Sequence, residues 1–215
     1  MNKAIIFDLD GTLLDTLADL TNSVNFALSQ LGLQSRTAAE VKSMIGNGVS
    51  VLIQRALGQE NIAFHAQALH LQRTFYAQHG TENSHPYEGI CEILQNLKQQ
   101  DFVVGVYTNK DENVAKTLCD KTLSGLIDYV CGTVSDSQTK PNAERLLQLL
   151  NSLGNPKTVY CGDSDVDLQT AKNANLPCIS VTWGFKSKQF LQSCGAKHFA
   201  ETPQDVVNLA QILTK

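Results

Sequence analysis

The chain has 215 residues, of which 42% are hydrophobic, and a formal net charge of −4. This composition excludes intrinsic disorder, because apolar residues are plentiful and the net charge is small. The 17 basic residues form no cluster and no apolar stretch approaches the ~20 residues of a membrane span, so we expect neither a nucleic-acid partner nor a membrane anchor.

The first predicted element is a strand at 4–7, and a block without strands follows it. Apolar residues recur every three or four positions between 17 and 31, which predicts an amphipathic helix. Thr37 and Glu40 match a capping box that opens a second helix. Further helices are predicted at 49–58 and 61–79. The block predicts an all-helical cap domain at 15–82, inserted into a core domain formed by 1–14 and 83–215.

Strands and helices alternate along the rest of the chain. Strands are predicted at 102–108, 129–134, 158–161, 178–182 and 197–200. Helices are predicted at 89–100, 111–124, 142–153, 166–175, 186–193 and 203–213. Several strands are apolar on both faces, as central parallel strands are. The fold class predicted for the core is therefore α/β, a doubly wound parallel sheet with helices on both faces.

Cysteine use adds an expectation about the compartment. The 6 cysteines include no CxxC pair, and four of them lie in or beside apolar segments. Small buried thiols are expected there, rather than zinc ligands or disulfides. Because this pattern is typical of reducing compartments, we expect a cytoplasmic protein.

The strongest chemical signal is Asp8-Leu9-Asp10-Gly11-Thr12, directly after the first strand. Side chains alternate along an extended chain, so Asp8 and Asp10 leave it on the same side. Ligands of open α/β sheets bind at this end of the strands. Two neighbouring carboxylates repel each other unless a proton or a cation compensates them, and Gly11 permits close approach of the backbone to a ligand. A turn with solvated acids is the alternative interpretation.

Polar residues at the other strand ends weigh against a solvated turn. In chain order they are Thr108, Asn109, Lys110, Lys140, Asp163 and Asp167. Asp163 and Asp167 are four residues apart, so a helix that starts there places both on one face. Carboxylate oxygens that surround a single hard cation suit Mg²⁺. The sequence therefore predicts a magnesium site at this edge of the sheet.

These motifs together resemble the haloacid dehalogenase superfamily of phosphatases, and within it the phosphoglycolate phosphatase-like group with a helical (C1-type) cap. The resemblance covers nearly the whole chain and rests on DLDGTLLDT at the start, TNK at 108–110, KP at 140–141, GDSDVD at 162–167 and VTWGF at 181–185. It implies a Rossmann-like core with an inserted cap. It also implies hydrolysis of a small phosphorylated metabolite with Mg²⁺ as the cofactor.

The resemblance implies catalytic roles for the matched residues. Asp8 would be the nucleophile that forms an aspartyl-phosphate, and Asp10 would act as acid and then as base. Thr108 and the backbone amide of Asn109 would hold the phosphoryl oxygens, and Lys140 would neutralise charge on Asp8 and the phosphoryl group.

Metal ligation is implied in the same way. Asp8, the main-chain carbonyl of Asp10, and Asp163 would ligate Mg²⁺, with Asp167 acting from behind these ligands or through water. The presence of Asp10 argues against dehalogenation, because dehalogenase-like members lack this second acid. It also argues against a non-catalytic phospho-ligand sensor, which would have lost Asp8 or Asp10.

Specificity is expected to come from the cap, since the core motifs bind only the phosphate. The loop at 46–49, with Gly48, lacks the third glycine of a dinucleotide fingerprint and does not follow a strand. It resembles the cap loop of phosphoglycolate phosphatases, which faces the active site. Arg55 in the following helix is a candidate ligand for a substrate carboxylate, with a solvated surface arginine as the alternative.

The substrate expected from this resemblance is 2-phosphoglycolate. Three alternatives stay open among hydrolases, namely a sugar phosphate, a nucleotide and pyrophosphate. A β-phosphoglucomutase-type phosphoryl mutase shares the same core and cap. No motif indicates an oligomeric state.

Overall fold

The computed structural model describes residues 3–135 and 138–215, so Met1 and Asn2 of the expected core domain lie outside the description, as do Asp136 and Ser137. The strands are β1 (Lys3–Phe7), β2 (Leu14–Asp15), β3 (His85–Pro86), β4 (Phe102–Asp111), β5 (Tyr129–Thr133), β6 (Lys157–Gly162), β7 (Cys178–Val181) and β8 (His198–Ala200). The helices are α1 (Leu17–Gln30), α2 (Ala38–Met44), α3 (Val49–Leu57), α4 (His65–His79), α5 (Ile90–Gln99), α6 (Glu112–Thr122), α7 (Glu144–Ser152), α8 (Asp165–Asn173), α9 (Lys188–Ser193) and α10 (Pro203–Leu213).

The main sheet is parallel and buried on both faces. Within the described residues it has 6 strands in the order β5-β4-β1-β6-β7-β8. Ile5 and Phe7 of β1 pack into a cluster with residues of α5, α6 and α10, whereas Ile6 packs on the opposite face with residues of α7 and α8. Helices therefore cover both faces, and the predicted doubly wound α/β fold is confirmed.

Strand register explains why the polar residues meet. Phe7 at the end of β1 pairs with Val106 of β4 and with Cys161 of β6. Asp8 therefore lies one residue beyond this level, and Thr108 and Asp163 lie two residues beyond it. Because the strands are parallel, these side chains share one edge of the sheet.

Strand β4 is longer than the sequence predicts. It continues from the expected end at 108 to Asp111, with a register shift against β5 between Tyr107 and Asp111. The polar residues Asn109 and Lys110 suggested a loop, because they break the apolar pattern of the strand. They instead lie in an irregular extension of β4 that reaches towards the helical segment.

Helices α1 to α4 pack around an apolar cluster of their own. Its buried members include Leu20, Val24, Leu28 and Ile53. The capping box predicted for α2 is present, with Thr37 and Glu40 exchanging hydrogen bonds. The helix predicted at 61–79 is divided, because Gln59–Phe64 is a 3₁₀ helix and α4 begins at His65.

A two-stranded ribbon joins the helical segment to the sheet. Strand β2 pairs with β3 in the antiparallel direction, a pairing that sequence analysis did not predict. Beside the ribbon, the buried Asp19 carboxylate accepts hydrogen bonds from the backbone and side chains of Asn83 and Ser84 at 2.7–3.1 Å. The ribbon lies close to the expected boundaries of the cap at 15 and 82, and the division into two domains stays a prediction.

Two further expectations concern membranes and thiols. Among the described residues, no helix has the length and apolar character needed to cross a membrane. The cysteines are free thiols, and Cys119, Cys131 and Cys161 are buried as small apolar side chains. Cys91 and Cys178 are only half-buried, and Cys194 is exposed.

Candidate active site

A small cavity of about 60 Å³ lies between the carboxyl edge of the sheet and the helical segment. We call its sheet side the floor, which is lined by Asp8, Asp10, Thr108, Asn109, Lys110, Lys140, Asp163, Ser164, Phe185 and Lys186. We call its helical side the roof, which is lined by Leu20, Ile45, Gly46, Gly48, Val49 and Leu52. Most polar groups therefore belong to the floor, and the roof has no charged side chain.

Lys140 holds the Asp8 carboxylate of the floor together with the carboxylate of Asp167. Its Nζ lies 2.8 Å from Asp8 Oδ1 and 2.7 Å from Asp167 Oδ1, and the Tyr160 hydroxyl lies 3.4 Å away. Burial alone lowers the pKa of Lys140, but Asp167 and Asp8 outweigh it and raise the pKa above its usual value. The ammonium is therefore charged, and it fixes the position of Asp8.

The ionised form of Asp8 is destabilised by its surroundings. Burial, with the charges of Asp167 and Asp10 in addition, raises its pKa from 3.8 to about 6 although Lys140 opposes the shift. Perturbed carboxylates of this kind cluster at functional sites. Asp8 is thus held close to other anions in a buried cavity, where a cation or a phosphoryl group can interact strongly with it.

Asp163 is the second buried carboxylate that lines the floor, and two hydrogen bonds fix its position. Its Oδ2 accepts a hydrogen bond from the backbone N–H of Phe185 at 2.6 Å, and its Oδ1 accepts one from the Thr12 hydroxyl at 3.4 Å. Burial, followed by the charges of Asp167 and Asp8, raises the pKa of Asp163 to about 8. Gly11 makes this position possible, because a Cβ there would lie 2.6 Å from Asp163 Oδ2.

The donor set suits a hard divalent cation. Asp8, Asp163 and Asp167 each offer a carboxylate oxygen, and these oxygens lie within 4.8 Å of one another. Oxygen ligands of this kind are preferred by Mg²⁺. Asp167 already accepts hydrogen bonds from Lys140, Tyr160 and the backbone and hydroxyl of Ser164. Asp8 and Asp163 are therefore the freer pair of candidate ligands, and Asp167 holds Lys140 by an ion pair.

Asp10 is paired with a residue to which sequence analysis gave no role. Lys110 Nζ donates to both Asp10 oxygens, at 2.9 and 3.0 Å. The same ammonium lies 4.6 Å from the centre of the Tyr76 ring on α4. Lys110 therefore connects Asp10 to the helical segment, and this contact joins residues 100 positions apart.

Thr108 and Asn109 lie where the floor meets the roof. Thr108 is buried and lines the cavity. The Asn109 side chain donates from Nδ2 to the carbonyls of Lys140 and Gly46, at 3.2 and 3.4 Å. A Cβ at Gly48 would lie 3.7 Å from the Asn109 carbonyl. The loop of the roof is thus closed onto the loop that carries Lys140.

Two predicted substrate-binding residues lie elsewhere than expected. Arg55 is exposed and does not line the cavity, because its guanidinium donates to the carbonyl of Met44 and to Asn47 Oδ1, at 2.6 and 2.8 Å. Gly11 does not line it either, since the carboxylate of Asp163 occupies the space beside it. Arg55 therefore braces the loop of the roof, and Gly11 makes room for a neighbouring acid.

Comparison with known proteins identifies the family. Residues 5–181 match the haloacid dehalogenase-like hydrolase family. The chain is 36% identical over 195 residues to the phosphoglycolate phosphatase of Agrobacterium fabrum, with 86% of this chain and 82% of the relative covered. It is 34% identical over 193 residues to that of Aliivibrio fischeri, with 85% of each chain covered.

A solved structure agrees with these relatives. A candidate phosphoglycolate phosphatase from Lactobacillus delbrueckii subsp. bulgaricus superimposes with a TM-score of 0.89 at 32% identity, covering 100% of this chain and 99% of that one. The match extends over the sheet and the helical segment together. The chain therefore belongs to the haloacid dehalogenase-like hydrolases, and within that family it is a phosphoric monoester hydrolase similar to the phosphoglycolate phosphatases.

Proposed function

We propose that this protein is a Mg²⁺-dependent phosphatase that hydrolyses a small anionic phosphomonoester through an aspartyl-phosphate, with 2-phosphoglycolate as the substrate. The observation that carries the proposal is the buried Asp8 carboxylate, 2.8 Å from Lys140 and beside Asp163, in a small cavity at the carboxyl edge of the sheet. The names of the Agrobacterium fabrum and Aliivibrio fischeri relatives support the choice of substrate.

The first step is phosphoryl transfer to Asp8. A carboxylate oxygen of Asp8 attacks phosphorus, and the bond from phosphorus to the ester oxygen breaks. Asp10 gives its proton to the departing alkoxide, so that an alcohol leaves. Lys140 and the polar groups at Thr108 and Asn109 offset the charge on the phosphoryl oxygens, since catalysis of this kind depends mainly on positioning and charge neutralisation.

The second step releases phosphate from Asp8. A water molecule attacks phosphorus while Asp10 takes its proton, and the bond from phosphorus to the Asp8 oxygen breaks. Asp8 returns as a carboxylate and inorganic phosphate leaves. Mg²⁺ held by Asp8 and Asp163 would supply positive charge near the phosphoryl oxygens. Asp167 keeps Lys140 in place through both steps.

The size of the cavity favours a small substrate. The cavity volume of about 60 Å³ exceeds the roughly 10–15 Å³ that a single water needs, but it is small for a ligand site. A phosphoryl group with a two-carbon acid suits this space better than a sugar ring or a nucleoside does. The apolar roof also excludes water from the reacting groups.

The experiment is phosphate release from a panel of esters, with Mg²⁺ and with EDTA. The panel contains 2-phosphoglycolate, a hexose phosphate, a nucleoside monophosphate and pyrophosphate, with Asp8→Asn as the blank. We expect Mg²⁺-dependent release that is fastest with 2-phosphoglycolate. Asp165→Asn is the matched control, because Asp165 does not line the cavity and should keep full activity.

Other outcomes would redirect the proposal. Faster release from another ester would keep the phosphatase chemistry and reject 2-phosphoglycolate. Absence of release, together with isomerisation of a sugar phosphate primed by its bisphosphate, would indicate the mutase. Phosphate-ester binding without either reaction would indicate a sensor.

A further inference from the structure

Lys110 is a buried cation to which the proposed mechanism gives no task. Its side chain is 6% exposed and lines the cavity at the side of Asp10. Burial alone lowers the pKa of Lys110, but Asp10 and Tyr76 outweigh it and keep the pKa above its usual value. A charged ammonium therefore lies beside the group that serves the leaving oxygen.

The other cations near the cavity contact groups other than Asp10. Lys140 is held between Asp8 and Asp167 at the phosphoryl end. Lys186 reaches only the main-chain carbonyl of Ser43 in the helical segment, at 3.5 Å. Arg55 is exposed and braces a loop. Among the described residues that line the cavity, Lys110 is the cation that contacts Asp10, the group assigned to the leaving oxygen.

The ammonium of Lys110 has capacity for another ligand. A lysine has three N–H donors, and Asp10 accepts from two directions here. The remaining side of the ammonium faces Tyr76, through the ring and the neutral hydroxyl, which is a weaker partner than an anion in a buried setting. Because the roof offers no charge, a cation that compensates an anionic leaving group must come from the floor, where Lys110 lies beside Asp10.

We propose that Lys110 determines specificity for the leaving group by binding an anionic substituent, a carboxylate, on the carbon side of the phosphoester. Lys110 also lines a groove of about 320 Å³ between α4 and α6, together with Leu20 and Val49. Lys110 therefore lines both the cavity and the groove. This inference rests on the proposed function, because it assumes that Asp10 faces the leaving oxygen.

The test compares a substrate whose leaving group carries a carboxylate with one of similar size whose leaving group is uncharged. The substrates are 2-phosphoglycolate and 2-hydroxyethyl phosphate, and the enzymes are the wild type, Lys110→Met and Lys186→Met with Mg²⁺. We expect the wild type to prefer 2-phosphoglycolate in kcat/KM. Lys110→Met should lower that preference about 10- to 100-fold, the usual worth of a hydrogen bond between charged groups.

The matched control is the second lysine of the cavity. Lys186→Met should keep the wild-type preference for 2-phosphoglycolate, whatever its effect on the absolute rate. Equal losses on both substrates in Lys110→Met would overturn the inference and leave Lys110 as a positioning residue for Asp10. A loss of preference in Lys186→Met with none in Lys110→Met would overturn it as well.

A measurement on the wild type keeps the inference testable if the variants fail to fold. Its inhibition by 3-phosphonopropionate is compared with inhibition by propylphosphonate, which lacks the carboxylate. Tighter inhibition by 3-phosphonopropionate, weakening at high salt, is expected, and equal inhibition would overturn the inference. Hydrolysis of both esters without preference would reject the Lys110 role alone, whereas absence of hydrolysis would reject the proposed function.

Discussion

The floor and the roof of the cavity differ in almost every physical property. The floor is built from strand ends and carries buried charges, with Asp8, Lys140 and Asp163 in mutual contact or close to it. The roof is built from helices and the loop between α2 and α3, and it presents apolar side chains and two glycines. Chemistry is therefore expected from the floor, whereas the roof excludes water and limits the size of the substrate.

The difference also shows where specificity must lie. An apolar roof distinguishes substrates by size, but it has no group that attracts an anion. Charge recognition then belongs to residues where floor and roof meet, such as Lys110 beneath Tyr76. The following predictions test this division of roles.

The largest effect is expected for Asp8→Asn. Loss of the nucleophile should lower phosphate release by at least about 10³-fold. Because burial and nearby acids raise the pKa of Asp8 to about 6, removing its charge relieves repulsion in the metal-free fold. Thermal unfolding in EDTA should therefore occur at or above the wild-type temperature. Normal activity would exclude Asp8 as the nucleophile.

The catalytic candidates of the floor could be predicted from the sequence, because each is marked by residues adjacent to it in the chain. Central strands read as apolar runs, and polar residues directly after them must lie at one edge of a parallel sheet. Asp8 and Asp163 were predicted in this way, Lys140 was predicted from the loop that follows a strand, and the structure places the three together. Their individual roles stay predictions until they are tested by mutation.

The contacts between floor and roof could not be predicted from the sequence, because they join residues that are distant in the chain. Lys110 contacts an acid 100 residues away, and nothing beside it in sequence indicates this. Asp19 resembles an ordinary acid in the first turn of a helix, yet its partners are 64 and 65 residues away. Arg55 was placed in the cavity, although its acceptors are nearby groups of the roof loop.

The second prediction concerns Asp19, which ties α1 to the chain that re-enters the sheet. Asp19→Ala should lower the free energy of unfolding by about 2–4 kcal/mol, because it leaves buried donors of Asn83 and Ser84 without their acceptor. Urea unfolding monitors the change. Asp120→Ala, at an exposed position on α6, should change stability by less than about 0.5 kcal/mol. Equal stability of the two variants would show that the Asp19 contacts are not important for attachment of the roof.

The third prediction concerns how the stability of the protein, and its response to Mg²⁺, depend on pH. Asp8 and Asp163 have pKa values raised to about 6 and about 8, so the metal-free folded protein binds more protons than the unfolded chain between about pH 4 and 8. Their contribution to stability therefore falls as the pH rises through this range. Mg²⁺ competes with protons for these oxygens, so it should raise the melting temperature more at about pH 8 than at about pH 5.5.

The control for this prediction is a variant in which an uncharged side chain of the same size replaces Asp163. Asp163→Asn should lose most of the Mg²⁺-dependent increase in melting temperature, measured by differential scanning fluorimetry. An increase that is independent of pH, or one that survives in Asp163→Asn, would place the cation outside this group of carboxylates.

The smallest effect is expected for Arg55→Ala, which tests whether the roof recognises charge. The Arg55 guanidinium is exposed and donates to Met44 and Asn47, so its loss should cost less than about 1 kcal/mol of stability. The loop that carries Gly48 should become looser, and KM should rise about 2- to 5-fold. This rise should be the same for 2-phosphoglycolate and 2-hydroxyethyl phosphate, because Arg55 does not line the cavity.

A second arginine of the helical segment is the matched control for Arg55→Ala. Arg36 also donates to a main-chain carbonyl, that of Ala56 at 2.7–2.9 Å, but it lies away from the cavity. Arg36→Ala should therefore reduce stability without a change in KM for either substrate. If Arg55→Ala instead raised KM only for 2-phosphoglycolate, an arginine of the roof would recognise the carboxylate. Charge recognition would then no longer be confined to the floor and its boundary with the roof.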